Sequence, residues 1–146
     1  METKKSRVLM VDDDPLILEM YSIKFKKADF KFLGLSGIDN NFIEKVLQFK
    51  PDIISMDIIM PDIDGVQAVK LLKSDSRTKD IPVIFLTNKA DGAEVEKAKS
   101  SGVVGYIVLA YSEPAKVVDI YRKYLDNPSQ EFIDMSQEKK QPDGAY

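Results

Sequence analysis

The chain has 146 residues, room for one domain with a sizeable core, and its balance of 44% hydrophobic to 31% charged residues is that of an ordinary globular protein. A net charge of −3 supplies no basic face for nucleic acid, and no apolar run approaches the ~20 residues that span a bilayer. The lack of cysteine and histidine removes disulfides, thiolate nucleophiles, zinc sites and imidazole bases, leaving carboxylates, hydroxyls, lysines, backbone amides and a hard metal ion.

The charged start, Met1-Glu2-Thr3-Lys4-Lys5-Ser6-Arg7, runs straight into a strand-like segment, so no signal peptide and a cytoplasmic location are expected. Residues 7–11 predict a first, buried strand. Pro15 opens a helix to about residue 28, with Ile17, Met20, Tyr21, Lys24 and Phe25 sharing one face. Residues 30–35 predict a second strand, and Asn40 or Asn41 is placed to cap a helix carrying Phe42, Val46, Leu47 and Phe49. A third strand over 52–56 follows Lys50-Pro51. A helix over 65–74 turns Val66, Val69 and Leu72 inward. The fourth strand spans 83–86, a helix 92–100 and the fifth strand 105–108. Ser112 is expected to cap the last helix, with Pro114 in its first turn and Val117, Val118, Tyr121 and Leu125 on its apolar face. Residues 126–146 are mostly polar and read as a flexible tail, in which only Phe132, Ile133 and Met135 offer apolar contacts for a short docked segment.

Five strands alternating with five helices imply a parallel sheet covered on both faces, and the continuous apolar strand cores agree. In such a sheet ligands bind where strands end at their carboxyl edge. The first strand stops in Asp12-Asp13-Asp14, the third in Asp57 and the fourth in Thr87. Asp14 suits a helix cap as well as a ligand. Asp57 sits inside the apolar run Ser55-Met56-Asp57-Ile58-Ile59-Met60-Pro61, where an unpaired charge costs several kcal/mol. A divalent cation shared with Asp12 and Asp13 would compensate it, magnesium being suited to oxygen ligands; without an ion, crowded carboxylates favour holding a proton.

Four segments, in this order and spacing, resemble the receiver domains of two-component response regulators: 8–15 (Val-Leu-Met-Val-Asp-Asp-Asp-Pro), 52–65 (containing Asp57 and ending Asp64-Gly65), 81–87 (ending Leu86-Thr87) and 102–107 (Gly-Val-Val-Gly-Tyr-Ile). The resemblance implies a flavodoxin-like (βα)5 doubly wound α/β fold, a five-stranded parallel sheet of order 2-1-3-4-5, over residues 1–125. It also implies a cytoplasmic, single-domain phosphoacceptor rather than a turnover enzyme, one that assists its own phosphorylation and dephosphorylation. Asp57 would take a phosphoryl group from a histidine kinase or histidine phosphotransfer protein. Asp12, Asp13, Asp57 and the Ile59 carbonyl would hold Mg2+, with Mn2+ a substitute, while Thr87 and Tyr106 would be the switch hydroxyl and switch aromatic. Signalling would pass to a downstream protein through the fourth helix, fifth strand and fifth helix, a surface also available for a homodimer. Neither direct nucleic-acid contact nor a membrane is implied.

The sequence departs from the family at one position. The lysine expected at the end of the fifth strand, and the proline after it, are replaced by Leu109-Ala110. Losing one preorganised charge partner costs a phosphoryl-transfer site about 2–4 kcal/mol. Lys89 is a candidate compensating cation, although a solvated loop lysine is the plainer reading, and Asn88 is expected to narrow access to Asp57. Leu109 also raises an alternative, a receiver that binds partners without phosphorylation. A remoter alternative is a haloacid-dehalogenase-like phosphatase using the Asp-x-Asp of Asp12 and Asp14, which leaves Asp57 and its loop unexplained.

Overall fold

A computed structural model describes residues 4–128 and 131–137. Six strands, β1 (Arg7–Val11), β2 (Lys31–Leu35), β3 (Ile53–Met56), β4 (Val83–Thr87), β5 (Gly105–Val108) and β6 (Ile133–Met135), form one parallel sheet of order β2-β1-β3-β4-β5-β6. The first five strands have the expected doubly wound order. The sixth is an addition: part of the polar tail runs beside β5, pairing Gly105 with Ile133, Tyr106 with Asp134 and Ile107 with Met135. The rest of the tail beyond residue 137 lies outside the described residues.

Helices α1 (Pro15–Lys27), α2 (Phe42–Phe49), α3 (Gly65–Ser74), α4 (Gly92–Ser100) and α5 (Pro114–Asp126) cover the two faces. Because alternate strand residues point to opposite sides, the buried strands divide their side chains between two cores. Leu9, Val11, Ile54, Met56 and Phe85 meet Phe42, Val46, Val69, Leu72 and Val95 on one face. Val8, Met10, Ile53, Ile84 and Ile107 meet Tyr21, Phe25, Val117 and Tyr121 on the other. Fully burying each large side chain contributes about 1.5–3 kcal/mol before entropy is counted, so these two layers fix the sheet.

Two polar contacts tie α5 to the rest of the fold. Ser55 and Tyr121 share a buried hydrogen bond at 2.7 Å between β3 and α5. The Arg122 guanidinium lies 4.0 Å over the Phe30 ring and donates to the Ala28 carbonyl at 2.6 Å, joining α5 to the end of α1.

Caps explain most helix starts. Asp14 accepts from the Leu16 amide, Asp91 from the Ala93 amide, and Asp64 forms a reciprocal capping box with Gln67. Two expected caps are corrected. Asn41 stands at the start of α2 without a side-chain cap bond; its own amide donates to Asp39 Oδ1 at 2.9 Å. Ser112 does not cap α5 either, because Leu109–Tyr111 form a short 3-10 turn that carries the chain to Glu113 as the N-cap, leaving the Ser112 hydroxyl buried without a partner. Among the described residues, no helix is long and apolar enough to cross a membrane.

Candidate functional site

The carboxyl ends of β1 and β3 lie side by side, since Val11 pairs with Met56. The residues that follow each strand therefore meet. The Asp12 amide donates to the Leu35 carbonyl at 3.0 Å and the Asp57 amide to the Val11 carbonyl at 2.9 Å, so both backbones are held as the ladder ends. Carboxylate oxygens of Asp12, Asp13 and Asp57 lie within 4.8 Å of one another. Asp12 and Asp57 are buried and Asp13 is exposed to water. The three acids singled out in the sequence share one site.

Asp14 borders the same site but serves a different purpose. Its side chain caps α1, while its amide donates to Asp12 Oδ1 at 2.8 Å and fixes that carboxylate. The acids face a cavity of about 330 Å3 whose wall also includes Ile17, Ile59, Thr87, Asn88 and Leu109. Among the described residues, no lysine or arginine belongs to that wall.

Burial without a neighbouring cation raises Asp12 and Asp57. Burial pushes Asp12 up from the ordinary 3.8 to about 7; the Asp14 amide opposes the rise, and the charges of Asp57, Asp13 and Asp14 add to it. Asp57 is also raised, again by burial first, against hydrogen bonds from the Thr87 hydroxyl and the Ile59 and Ile58 amides that favour its charged form. Those amides and that hydroxyl are directional donors around one carboxylate, while the remaining negative charge needs a cation. The donor set fits a hard divalent ion: oxygen ligands, clustered, with room for water. Asp12, Asp13 and Asp57 would hold it.

Thr87, fully buried at the end of β4, is tied to the loop beyond it. Its hydroxyl accepts from the Lys89 amide at 3.3 Å and lies near enough to Asp57 to favour that carboxylate's charged form. The Lys89 carbonyl accepts the Tyr106 hydroxyl at 2.5 Å, with the Tyr106 ring buried and edge-on to Phe85. One peptide unit thus links the two residues expected to act together. Burial raises the Tyr106 phenol to about 12, with Glu94, Asp91 and Asp57 adding to the effect.

The Lys89 side chain does not supply the missing charge in this arrangement. Its ammonium pairs with Glu94 at 3.1 Å and faces a separate cleft between α3 and α4, a turn imposed by the acid on the first turn of α4. Leu109 does line the acid cavity, so an apolar side chain stands where the resemblance implies a cation.

Sequence reasoning assigned no role to Gly65. A Cβ there would lie 2.2 Å from the Asp57 carbonyl oxygen and 2.9 Å from the Ile58 Cα, so α3 can start this close to the loop after Asp57 only with glycine. The Gly65 amide donates to the Ile58 carbonyl at 2.8 Å and closes that loop. The signal was present as Asp64-Gly65 at the helix start, but contact with Asp57 depends on tertiary placement.

The profile of one protein family, described as the response regulator receiver domain, matches residues 8–119. Among curated proteins, the DNA-binding response regulator MtrA of Mycolicibacterium smegmatis is 28% identical over 135 residues, 92% of this chain and 57% of that protein. The response regulator protein VraR of Staphylococcus saprophyticus is 34% identical over 124 residues, 84% of this chain and 58% of that protein. The chain therefore spans a little over half the length of these relatives. Among solved structures, Vibrio cholerae chemotaxis protein CheY4 superposes with a TM-score of 0.74 at 23% identity, covering 82% of this chain and 98% of that one. A receiver domain protein from Methanospirillum hungatei gives 0.74 at 18% identity, covering 84% and 95%. At these identities the structures speak to the fold.

Proposed function

This chain belongs to the response regulator receiver domain family, and from that membership we propose that Asp57 accepts a phosphoryl group in a magnesium-dependent reaction. The observation that carries the reading is the convergence of Asp12, Asp13 and Asp57 on one cavity at the strand ends. A bound magnesium ion would neutralise charge on the phosphoryl oxygens during transfer. The chain's own groups do the rest. The Ile58 and Ile59 amides hold the Asp57 carboxylate, so that one oxygen can attack phosphorus as the donor's bond to it breaks. Asp12, fixed by the Asp14 amide, and Asp13 would hold the ion beside it, and the Ile59 carbonyl would be a further ligand. Thr87 turns its hydroxyl from the carboxylate to a phosphoryl oxygen, and the Lys89 peptide relays that change to Tyr106.

The donor is a histidine kinase or a histidine phosphotransfer protein, and the output is a contact with a downstream protein in the cytoplasm. The added charge of about −1.5 to −2 biases that surface. Because β6 occupies the edge of β5, a partner or a second copy using the α4–β5–α5 side has to contact or displace it.

A small acyl phosphodonor with magnesium should add one phosphoryl group to the wild type by intact mass and none to Asp57→Asn. No label on wild type with saturating donor overturns the proposal. A second reading, a receiver that binds partners independently of phosphorylation, is favoured by Leu109 in the cavity wall. It predicts partner binding unchanged by Asp57→Asn.

A further inference from the structure

We infer that β6 is a latch that holds Tyr106 inside the molecule and thereby positions Thr87 on Asp57. The inference rests on the coupled roles proposed above for Thr87 and Tyr106 and adds a controlling element to them. Without β6, β5 would be the edge strand of the sheet, since the order ends β4-β5-β6. The side chain at the centre of β5 is Tyr106, with Asp134 of β6 directly beside it in register. Phe132, just before the strand, packs against the same core cluster as Tyr106, under the Lys99 ammonium at 5.6 Å. Asp134 and Phe132 thus line the edge of β5 beside Tyr106, where the ring would otherwise meet solvent at an open strand edge.

The contact is built closely at one point. The Ile133 amide donates to the Val104 carbonyl at 3.0 Å, and a Cβ on Gly105 would come within 2.8 Å of Ile133 Cβ and 3.0 Å of its carbonyl oxygen. All three of the nearest atoms that such a Cβ would meet belong to Ile133. Glycine at 105 admits β6, and almost any side chain there would push it away. On the other face, Ile133 and Met135 pack with Tyr124 and Leu125 of α5. With only three paired residues, this is a small unit that can open locally while the sheet persists.

While β6 is docked, Tyr106 keeps its hydrogen bond to the Lys89 carbonyl, the Lys89 amide stays on the Thr87 hydroxyl oxygen, and Thr87 stays beside Asp57, where it favours the charged carboxylate. Detaching β6 frees the ring and loosens that chain of contacts. Two substitutions attack the contact from opposite sides: Gly105→Ala from β5 and Ile133→Asp from β6.

The test is tyrosine nitration of the full-length chain, located by peptide mass spectrometry, alongside amide exchange at 133–135. In wild type, half-buried Tyr111 and Tyr124 should react while Tyr21, Tyr106 and Tyr121 stay protected. In both variants β6 amides should exchange freely and Tyr106 should react about tenfold faster or more, with Tyr21 and Tyr121 still protected. The latch is overturned if Tyr106 stays protected in a variant whose β6 amides exchange. It is equally overturned if β6 stays protected in both variants, or if Tyr21 and Tyr121 become reactive together with Tyr106, since β6 would then support the whole fold. Nitration needs no phosphoryl transfer, so a failure of Asp57 labelling and a failure of the latch are read separately.

Discussion

In protein stripped of divalent cations, Asp12→Asn should raise stability at about pH 8 and leave it nearly unchanged at about pH 4. Burial, more than any neighbouring charge, lifts Asp12 from 3.8 to about 7. The folded chain therefore holds a proton that the unfolded chain releases as pH climbs through that window. A folded-state value above the unfolded one means that stability is present at low pH and is lost on the way up to about pH 7. Three units at about 1.4 kcal/mol each set an upper bound of about 4 kcal/mol, which water and monovalent ions in the open cavity would reduce to about 1–3 kcal/mol. Asparagine has no such proton to lose, and its side-chain oxygen can still accept the Asp14 amide that Asp12 accepts at 2.8 Å. Urea unfolding of wild type and variant with chelator, repeated across the pH range, gives the difference directly. Saturating magnesium should reverse the order, because the ion stabilises the folded wild type and the variant has lost a ligand. A variant less stable than wild type at about pH 8 without metal, or a difference that ignores pH, would refute the argument from buried charge.

Gly65→Ala should cost about 3 kcal/mol or more in chemical denaturation and weaken magnesium binding, because its methyl would meet the Asp57 carbonyl at 2.2 Å; a loss below about 1 kcal/mol shows that the loop yields easily. Tyr121→Phe leaves the Ser55 hydroxyl buried without its partner and should cost about 1–2 kcal/mol, part of which the added Ser55→Ala restores. A double-mutant cycle with purely additive losses removes that account. Leu109→Lys brings a cation to the acid cavity and should lower both Asp12 and Asp57. It should raise metal-free stability at neutral pH by about 1–2 kcal/mol and lower magnesium affinity, as calorimetric titration can show; an unchanged pH–stability curve places the ammonium elsewhere.

Strands β1, β3, β4 and β5 were legible because each is an apolar run buried on both faces, and the acids were legible because they interrupt such runs. Asp57 after Ile-Ile-Ser-Met is conspicuous in one dimension for the same reason that its charge is costly in three. What stayed hidden depends on neighbours distant in sequence. The sequence offered Phe132, Ile133 and Met135 for a docked segment, but that they dock as a strand on β5 shows only in the space above Gly105. The Lys89 side chain is drawn to Glu94, a local pairing that competes with the acid cavity and wins. Ser112 has the chemistry of a cap, but the turn at Leu109–Tyr111 moves the helix start beyond it.

The apolar layer beneath α1 and α5 bears on how the protein is made. Val117, Val118 and Tyr121, near the end of the chain, complete a layer against Val8, Met10, Ile53 and Ile84, contributed much earlier. A nascent polypeptide that has released β1 through β5 from the ribosome, with α5 still in the exit tunnel, therefore presents a bare greasy surface to its surroundings. Translational pausing in that interval lengthens exposure to aggregation, and chaperone demand should peak there rather than during synthesis of the acid-bearing strands.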